Sequence, residues 1–259
     1  GANGKLKKEG YASADTKING GHFGIDRRLG NNQVGVAISY SNGSADFNRF
    51  AGKYKSDSVG LSLYGKKYLE NNNYILSRIG ITNFDTEVNR SLLAQDGSLQ
   101  NGKIKHNDIM YSTYLELGKD FKYITPYAGF SLDILDRKGF DENNVSWGIT
   151  AKNKTYMQQN IILGLRSDYK INENLKFTSH INQQINIGNR DLSFKGKFNN
   201  SSTEHTFKGI NQIKNTTWIG TGIEKSFSEN FGVGINLDIR FDEFKKADSI
   251  LSTNLYYRF

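Results

Sequence analysis

The residues that could do chemistry in this sequence are four histidines and a set of charged side chains spread along the chain. His22, His106, His180 and His205 lie far apart in sequence. A catalytic histidine needs a nucleophile and an orienting acid within hydrogen-bond reach. The chain has neither a Gly-x-Ser-x-Gly elbow nor a His-Glu-x-x-His motif, and it has no cysteine for thiol chemistry or zinc binding. We therefore predict no catalytic residues, no metal and no cofactor.

Ten charged residues share one property, which is that each lies on the polar side of a segment whose apolar and polar side chains alternate. Successive side chains of a strand point to opposite faces, so these residues lie on the polar face of a sheet. The same face is rich in small residues such as Gly35, Ala37 and Ser39. A small, polar face predicts a hydrated interior, in which the charges either line a pore or pair across it. The ten residues are Asp26, Arg28, Arg78, Glu116, Asp133, Arg166, Asp168, Glu224, Asp238 and Arg240.

The segment 249–259 shows this alternation at the end of the chain. Leu251, Leu255, Tyr257 and Phe259 fall on one face, and the residues between them are polar or amphipathic. A last strand that ends on an aromatic ring predicts a closed barrel, because the last strand must pair with the first to remove the sheet edge.

Alternating segments of this kind recur twelve times along the chain. The first, at about 5–15, is weakly patterned, and the second covers 20–29. Short turns follow the even-numbered segments, and longer connections, such as 88–105 and 189–215, follow most odd-numbered ones. Outer-membrane barrels have an even number of strands, short periplasmic turns and longer extracellular loops. We predict an all-β fold over 1–259, a 12-stranded antiparallel transmembrane β-barrel of up-and-down topology. Both termini are predicted to be periplasmic, with the first strand paired to the last.

The composition agrees with this fold. One proline in 259 residues is expected where most of the chain lies in paired strands, because proline cannot donate to a ladder. The formal charge is +8, but the lysines are spread over many segments, so we predict no nucleic-acid binding. The sequence contains no run of about 18 apolar residues, so it predicts no transmembrane helix. The chain begins Gly-Ala, and we interpret it as a fragment or processed product of a longer protein.

Four stretches, in order along the chain, resemble the β-barrel translocator domain of autotransporters, the type V secretion systems of Gram-negative bacteria. The resemblance covers nearly all 259 residues. It implies an outer-membrane anchor and translocation pore that delivers an N-terminal passenger to the cell surface. The stretches are Gly-Ile-Asp-Arg-Arg-Leu at 24–29, the glycine-containing strand at 35–41, Glu-Leu-Gly and Pro-Tyr-Ala at 116–118 and 126–128, and Leu-Tyr-Tyr-Arg-Phe at 255–259.

The same resemblance implies partners and an assembly signal. The expected partners are outer-membrane lipids and lipopolysaccharide, the Bam assembly machinery and the domain's own passenger, and the barrel is expected to be a monomer. Leu255, Tyr257 and Phe259 are expected to be the assembly signal. Family members carry a pore-filling helix before the first strand. Residues 1–19 show no helical apolar stripe, so the helix and the passenger are expected upstream.

Two alternatives remain open at this point. Outer-membrane phospholipases and proteases are barrels of similar size, and a diffusion porin would share the hydrated interior. Some autotransporters also cut their own passenger with inward acidic residues, for which Asp26, Glu116 and Glu224 are the candidates here.

Overall fold

The computed structural model describes residues 2–6, 14–47, 52–93, 96–141, 149–151, 154–188, 193–198, 205–208, 215–243 and 247–259. These residues form sixteen strands and one 3-10 turn at Glu70–Asn72. Within this part of the chain, no helix is long and apolar enough to cross a membrane. The strands are β1 (Ala2–Leu6), β2 (Ala14–Leu29), β3 (Asn32–Phe47), β4 (Gly52–Tyr68), β5 (Asn73–Leu93), β6 (Leu99–Lys119), β7 (Thr125–Arg137), β8 (Phe140–Asp141), β9 (Ile149–Ala151), β10 (Lys154–Asn172), β11 (Leu175–Asn186), β12 (Ser193–Phe198), β13 (His205–Lys208), β14 (Asn215–Ser226), β15 (Phe231–Asp242) and β16 (Ala247–Arg258).

Eleven long strands make the wall of a closed barrel. They are β2 to β7, β10, β11 and β14 to β16, and each pairs antiparallel with the next. The ring closes between β16 and β2, which run parallel from the pair Ser252 and Gly20 to the pair Arg258 and Asp26. Closure leaves no free strand edge along this length of the wall. The fold class is therefore an all-β closed barrel, as predicted.

The first strand differs from the prediction. The segment 5–15 is not one strand, because Lys5 pairs with Asp15 across the ladder between β1 and β2. The residues between them, 7–13, lie outside the described part. As a consequence β16 pairs mainly with β2, and β1 meets β16 at only two residue pairs. The physical reason is that a polar, weakly alternating segment does not fix a strand register by itself.

The two ends of the barrel differ in their connections, and we call them the turn end and the loop end. At the turn end the chain reverses through short segments, such as Gly30 with φ at 63° and the 3-10 turn Glu70–Asn72. At the loop end two connections are long, 138–153 and 187–214, and they contain β8, β9, β12 and β13, which form a separate four-stranded sheet. The predicted loop 88–105 is wrong, because β5 and β6 stay paired up to Leu93 and Leu99. Beyond the apolar belt a strand needs no apolar outer face, so its alternation disappears while its backbone pairing continues.

The distribution of polarity is inverted with respect to a water-soluble protein. Large apolar side chains on the outer face are about half exposed, for example Leu63 at 51% and Ile79 at 54%. Among the described residues the buried side chains are mostly polar, including Glu116 at 0% and Asn160 at 2%. An apolar outer face of this extent fits contact with lipid, and the polar inner face fits a wet interior.

Candidate functional site: the inner face of the barrel

A five-residue cluster on the inner face is centred on the carboxylate of Glu116 on β6. Tyr74 on β5 donates to Oε2 at 2.7 Å, and Tyr114 on β6 donates to Oε1 at 2.5 Å. Arg166 on β10 donates from Nη1 to Oε2 and from Nη2 to Oε1, both at 2.8 Å. Its guanidinium also lies 3.9 Å from the ring centroid of Tyr127 on β7. The cluster therefore ties together four successive strands, and the buried carboxylate is neutralised by a bidentate partner.

The tyrosines of this wall lie over glycines of neighbouring strands. Tyr74 is directly opposite Gly118 in the ladder, and a Cβ built at Gly118 would collide with the Tyr74 ring. Tyr127 covers Gly164 in the same way. The missing glycine side chain lets each ring lie flat along the inner wall, which brings the Tyr74 hydroxyl to Glu116.

A second cluster holds the seam where the ring closes. Asp26 on β2 is buried, and Arg258 on β16 donates from Nε to its Oδ1 at 2.6 Å. Tyr64 on β4 donates to the other carboxylate oxygen at 3.1 Å. The backbone N–H of Phe259 donates to the Asp26 carbonyl at 3.0 Å. The side-chain ion pair and the backbone bond thus join the first and last long strands at the turn end.

Two further predicted residues, Asp168 and Glu224, flank a lysine that the sequence reasoning did not single out. Lys176 on β11 lies with its Nζ 2.9 Å from Glu224 Oε2 and 4.0 Å from Asp168 Oδ2. These three strands, β10, β11 and β14, are consecutive in the wall. The lysine therefore bridges both of its neighbours.

Asp238 and Arg240 on β15 also have partners on other strands, His180 on β11 beyond β14 and Asp248 on the adjacent β16. Asp238 Oδ1 lies 3.2 Å from Nε2 of His180, and Arg240 forms an ion pair with Asp248. His180 is therefore part of the barrel wall, and the side chain that it contacts there is a carboxylate and not a nucleophile.

Arg28, Arg78 and Asp133 complete the predicted set. Arg78 lies with its guanidinium 5.7 Å from the ring centroid of Tyr114, and together with Asp133 and His22 it lines an inner cavity of about 330 Å³. Arg28 is opposite Gln33 in the ladder near the turn end. The ten residues therefore form several local groups around the inner face and do not converge on one centre.

The residues predicted as the assembly signal lie on the opposite, outer face. Leu255 and Tyr257 on β16 and Phe259, which follows it, are large exposed apolar side chains, and the rings of Tyr257 and Phe259 are stacked with centroids 6.4 Å apart. They make a continuous apolar ridge beside the seam.

Sequence reasoning missed the tyrosines and Arg258, which complete the inner clusters. Their signal was available in part, because Tyr64, Tyr74 and Tyr114 each occupy the inner face of an alternating strand. What the alternation could not supply was the register that places Tyr74 opposite Gly118 and brings Arg166 to Glu116, since these residues are far apart in sequence.

A closed β-barrel with an apolar outer belt, a charged interior and long connections at one end is a barrel of the bacterial outer membrane. Comparison with known proteins gives the class more closely. The sequence matches the family model described as Autotransporter beta-domain over residues 1–238. No curated protein matches the sequence.

Several solved structures share the fold. The translocator domain of the autotransporter NalP from Neisseria meningitidis has a TM-score of 0.81 at 14% identity, covering 100% of this chain and 85% of that one. The transport unit of AIDA-I from Escherichia coli has a TM-score of 0.60 at 15% identity, covering 100% and 87%. The β-domain of the Bordetella autotransporter BrkA has a TM-score of 0.59 at 12% identity, covering 96% and 93%.

The chain belongs to the autotransporter β-domain family. Domains of this family are non-enzymatic transport barrels that anchor in the outer membrane and translocate a passenger. The predictions of family, function and outer-membrane location are therefore confirmed, and the phospholipase or protease alternative is wrong. The family match also favours a translocator over a diffusion porin.

Proposed function

We propose that the barrel stands in the outer membrane with its turn end in the periplasm and its loop end at the cell surface. The observation that supports this orientation is that the two long connections, 138–153 and 187–214, lie at the same end of the barrel, as is typical of the extracellular end of outer-membrane barrels. The polar inner face then forms the path along which the domain's own passenger is threaded, and the barrel acts as a monomer.

The proposed barrel has twelve strands in the full-length protein. β1 pairs antiparallel with β2 along its whole length and with β16 at Ala2 and Asn3. If the strand continued before Ala2 in the same registers, it would enter between Gly20–Asp26 and Ser252–Arg258. Those are the stretches that now pair in parallel. Closure would become antiparallel throughout, with both termini of the domain in the periplasm, and the passenger and pore helix would precede this strand.

For the charged residues of the inner face, the contacts favour bracing of the wall. Asp26, Glu116 and Glu224, the candidates for self-cleavage, each lie against an arginine or a lysine. Each carboxylate is thus already engaged in an ion pair with a residue of another strand. We infer that these residues hold neighbouring strands together and line the wet interior at the same time.

The last strand carries the proposed assembly signal. The exposed apolar ridge of Leu255, Tyr257 and Phe259 offers alternate side chains, and the strand backbone offers main-chain bonds, which are the two components of β-augmentation. We propose recognition of this edge by the Bam machinery before the ring closes, followed by contact of the finished outer face with outer-membrane lipids and lipopolysaccharide.

Surface display of an epitope-tagged passenger in intact cells tests this function. The wild-type protein is expected to expose the epitope to added antibody or protease. Phe259→Asp is expected to abolish display by preventing insertion. The matched control is Phe227→Asp, which changes an equally exposed ring at the turn end outside the last strand. Absence of display with the wild type would overturn translocation. Equal display by the two variants would overturn only the role of the last strand.

A further inference from the structure

The outer face of the barrel has a depression at its turn end, which we call the outer groove. It is a cavity of about 680 Å³ on strands β2 to β5, beside Phe259. Its outward-facing lining is aliphatic, including Val34, Val36, Leu63 and Ile79. The size lies within the range of small-ligand sites.

Two small side chains make the floor of the groove. Gly65 on β4 and Ser77 on β5 are direct partners in the ladder and share one row across the wall. Residues two positions nearer the loop end in each strand, Leu63 and Ile79, are large and apolar. The depression therefore arises because this one row has small side chains, whereas the next row toward the loop end has large apolar ones.

Packing does not require a glycine at this place. A Cβ built at Gly65 would meet only the carbonyl oxygen of Gln33, at the ordinary distance of 3.8 Å. By contrast, a Cβ at Gly35, Gly118 or Gly164 would collide with a tyrosine ring on the inner face. Glycine at position 65 thus leaves open space on the face of the barrel that faces the membrane.

Two cations accompany the outer groove near the turn end, one level with its floor and one beyond it. Arg27 lies in the same row as Gly65, reached through Val34, and its guanidinium is 5.7 Å from the ring centroid of Phe259. Lys67 follows Gly65 by two residues on the same outward face of β4. Among the outward-facing lining residues that the structure describes, none is acidic, and Glu70 lies in the turn beyond Lys67.

We propose that the outer groove is a binding site for one anionic phospholipid of the leaflet at the turn end. The acyl chain lies over Gly65 and Ser77 between the aliphatic walls, and Arg27 and Lys67 contact the headgroup phosphate. An aliphatic lining with two cations close to the turn end matches a lipid, because its acyl chain and charged headgroup are separated in the same direction. The leaflet assignment rests on the proposed orientation of the barrel, whereas the site itself does not.

Native mass spectrometry of the purified barrel released from vesicles with equal amounts of phosphatidylglycerol and phosphatidylethanolamine tests the site. One retained phosphatidylglycerol is expected. Arg27→Gln with Lys67→Gln is expected to reduce its retention about tenfold or more, since each basic residue near the surface contributes roughly 1 kcal/mol. Ser77→Leu is expected to reduce retention with both cations intact, because it fills the floor with an apolar side chain that the lipid face accepts.

Matched controls on the far wall are Lys225→Gln, a cation stacked on Phe227 at the turn end, and Thr221→Leu, a small polar residue of β14. Both should retain the lipid at the wild-type level, and all variants should show the heat-dependent gel mobility of a folded barrel. Equal retention of the two phospholipids, equal losses in the controls, displacement by inorganic phosphate, or a second copy of the chain in place of lipid would each overturn the site. None of these results bears on passenger display, so the two proposals fail independently.

Discussion

Arg166 reaches past β7 to Glu116 on β6, and its two terminal nitrogens each donate to a different carboxylate oxygen at 2.8 Å. The pair links two strands that are not neighbours, with the Tyr127 ring between them under the guanidinium. A bidentate bond fixes direction as well as distance. It therefore constrains the curvature of the wall, which backbone pairing alone leaves adjustable.

Replacement of Glu116 by glutamine tests this constraint. Glu116→Gln keeps the shape but leaves the Arg166 charge without its partner and weakens the bonds from Tyr74 and Tyr114. Arg166 is 40% exposed and partly hydrated, so the expected loss is about 1–3 kcal/mol of unfolding free energy rather than the full value of a buried pair. Urea unfolding in lipid micelles measures it. The control Asp168→Asn removes an exposed carboxylate 4.0 Å from Lys176, and an equal loss there would contradict the prediction.

The contact between Tyr74 and Gly118 predicts a second effect. Gly118→Ala places a methyl group where the Tyr74 ring lies, so the ring must move and its 2.7 Å bond to Glu116 weakens. Overpacking of this kind costs about 1–3 kcal/mol. Gly65→Ala is the control, because its methyl group has room, and it should change stability by less than about 0.5 kcal/mol.

A double-mutant cycle separates the ring contact from a general preference for glycine. In a Tyr74→Leu background, Gly118→Ala should cost much less than in the wild type, because the side chain that collides is gone. If the cost is unchanged, the Tyr74 ring is not the reason for the glycine.

The strands of the wall could be predicted from the sequence, whereas the contacts between their side chains could not, for a physical reason. Alternation identified β15, with Ile235, Leu237 and Ile239 outward, because a lipid belt outside and water inside impose period two on every residue. It failed at residues 88–105, where the strands leave the belt and both faces are polar, and at residues 5–15, where the pattern is weak.

The inner clusters needed register as well as face. Asp26, Glu116 and Arg166 were assigned to the inner face from alternation alone. Their partners could not be, because Glu116 meets Arg166 from fifty residues away and Asp26 meets Arg258 only when the ring closes. Pairings of this kind are set by the register and closure of the barrel, and no local sequence pattern predicts them.

The inverted polarity of the wall predicts that lysine is costly on the outer face and tolerated at the neighbouring position on the inner face. Leu63→Lys places a charge in the middle of the outer apolar belt and should destabilise the membrane-inserted barrel by about 2–4 kcal/mol. Ser62→Lys points the same side chain to the inner face, where it lines wet cavities, and should be close to neutral. Reversible unfolding from lipid vesicles measures both. A penalty at Ser62 that equals that at Leu63 would mean that the interior is not hydrated.

Closure of the ring gives the sharpest test of the strand number, because the chain contains no cysteine. Phe23 and Leu255 are outward-facing partners in the parallel pairing of β2 with β16. Cysteines at these positions lie on adjacent strands in the 259-residue chain and should form a disulfide. In a twelve-stranded full-length protein another strand separates them, which puts their Cα atoms about 10 Å apart, beyond the reach of about 7 Å of a disulfide.

The control for this experiment is the cysteine pair Val233→Cys and Leu255→Cys, on β15 and β16. This antiparallel pairing is the same with eleven or twelve strands, so its disulfide should form in both proteins after mild oxidation, as a shift in gel mobility reports. We expect the Phe23→Cys and Leu255→Cys pair to cross-link in the 259-residue chain and to remain reduced in the full-length protein. Cross-linking in both would show that the parallel seam persists, and the eleven-stranded closure would then hold for the full-length protein as well.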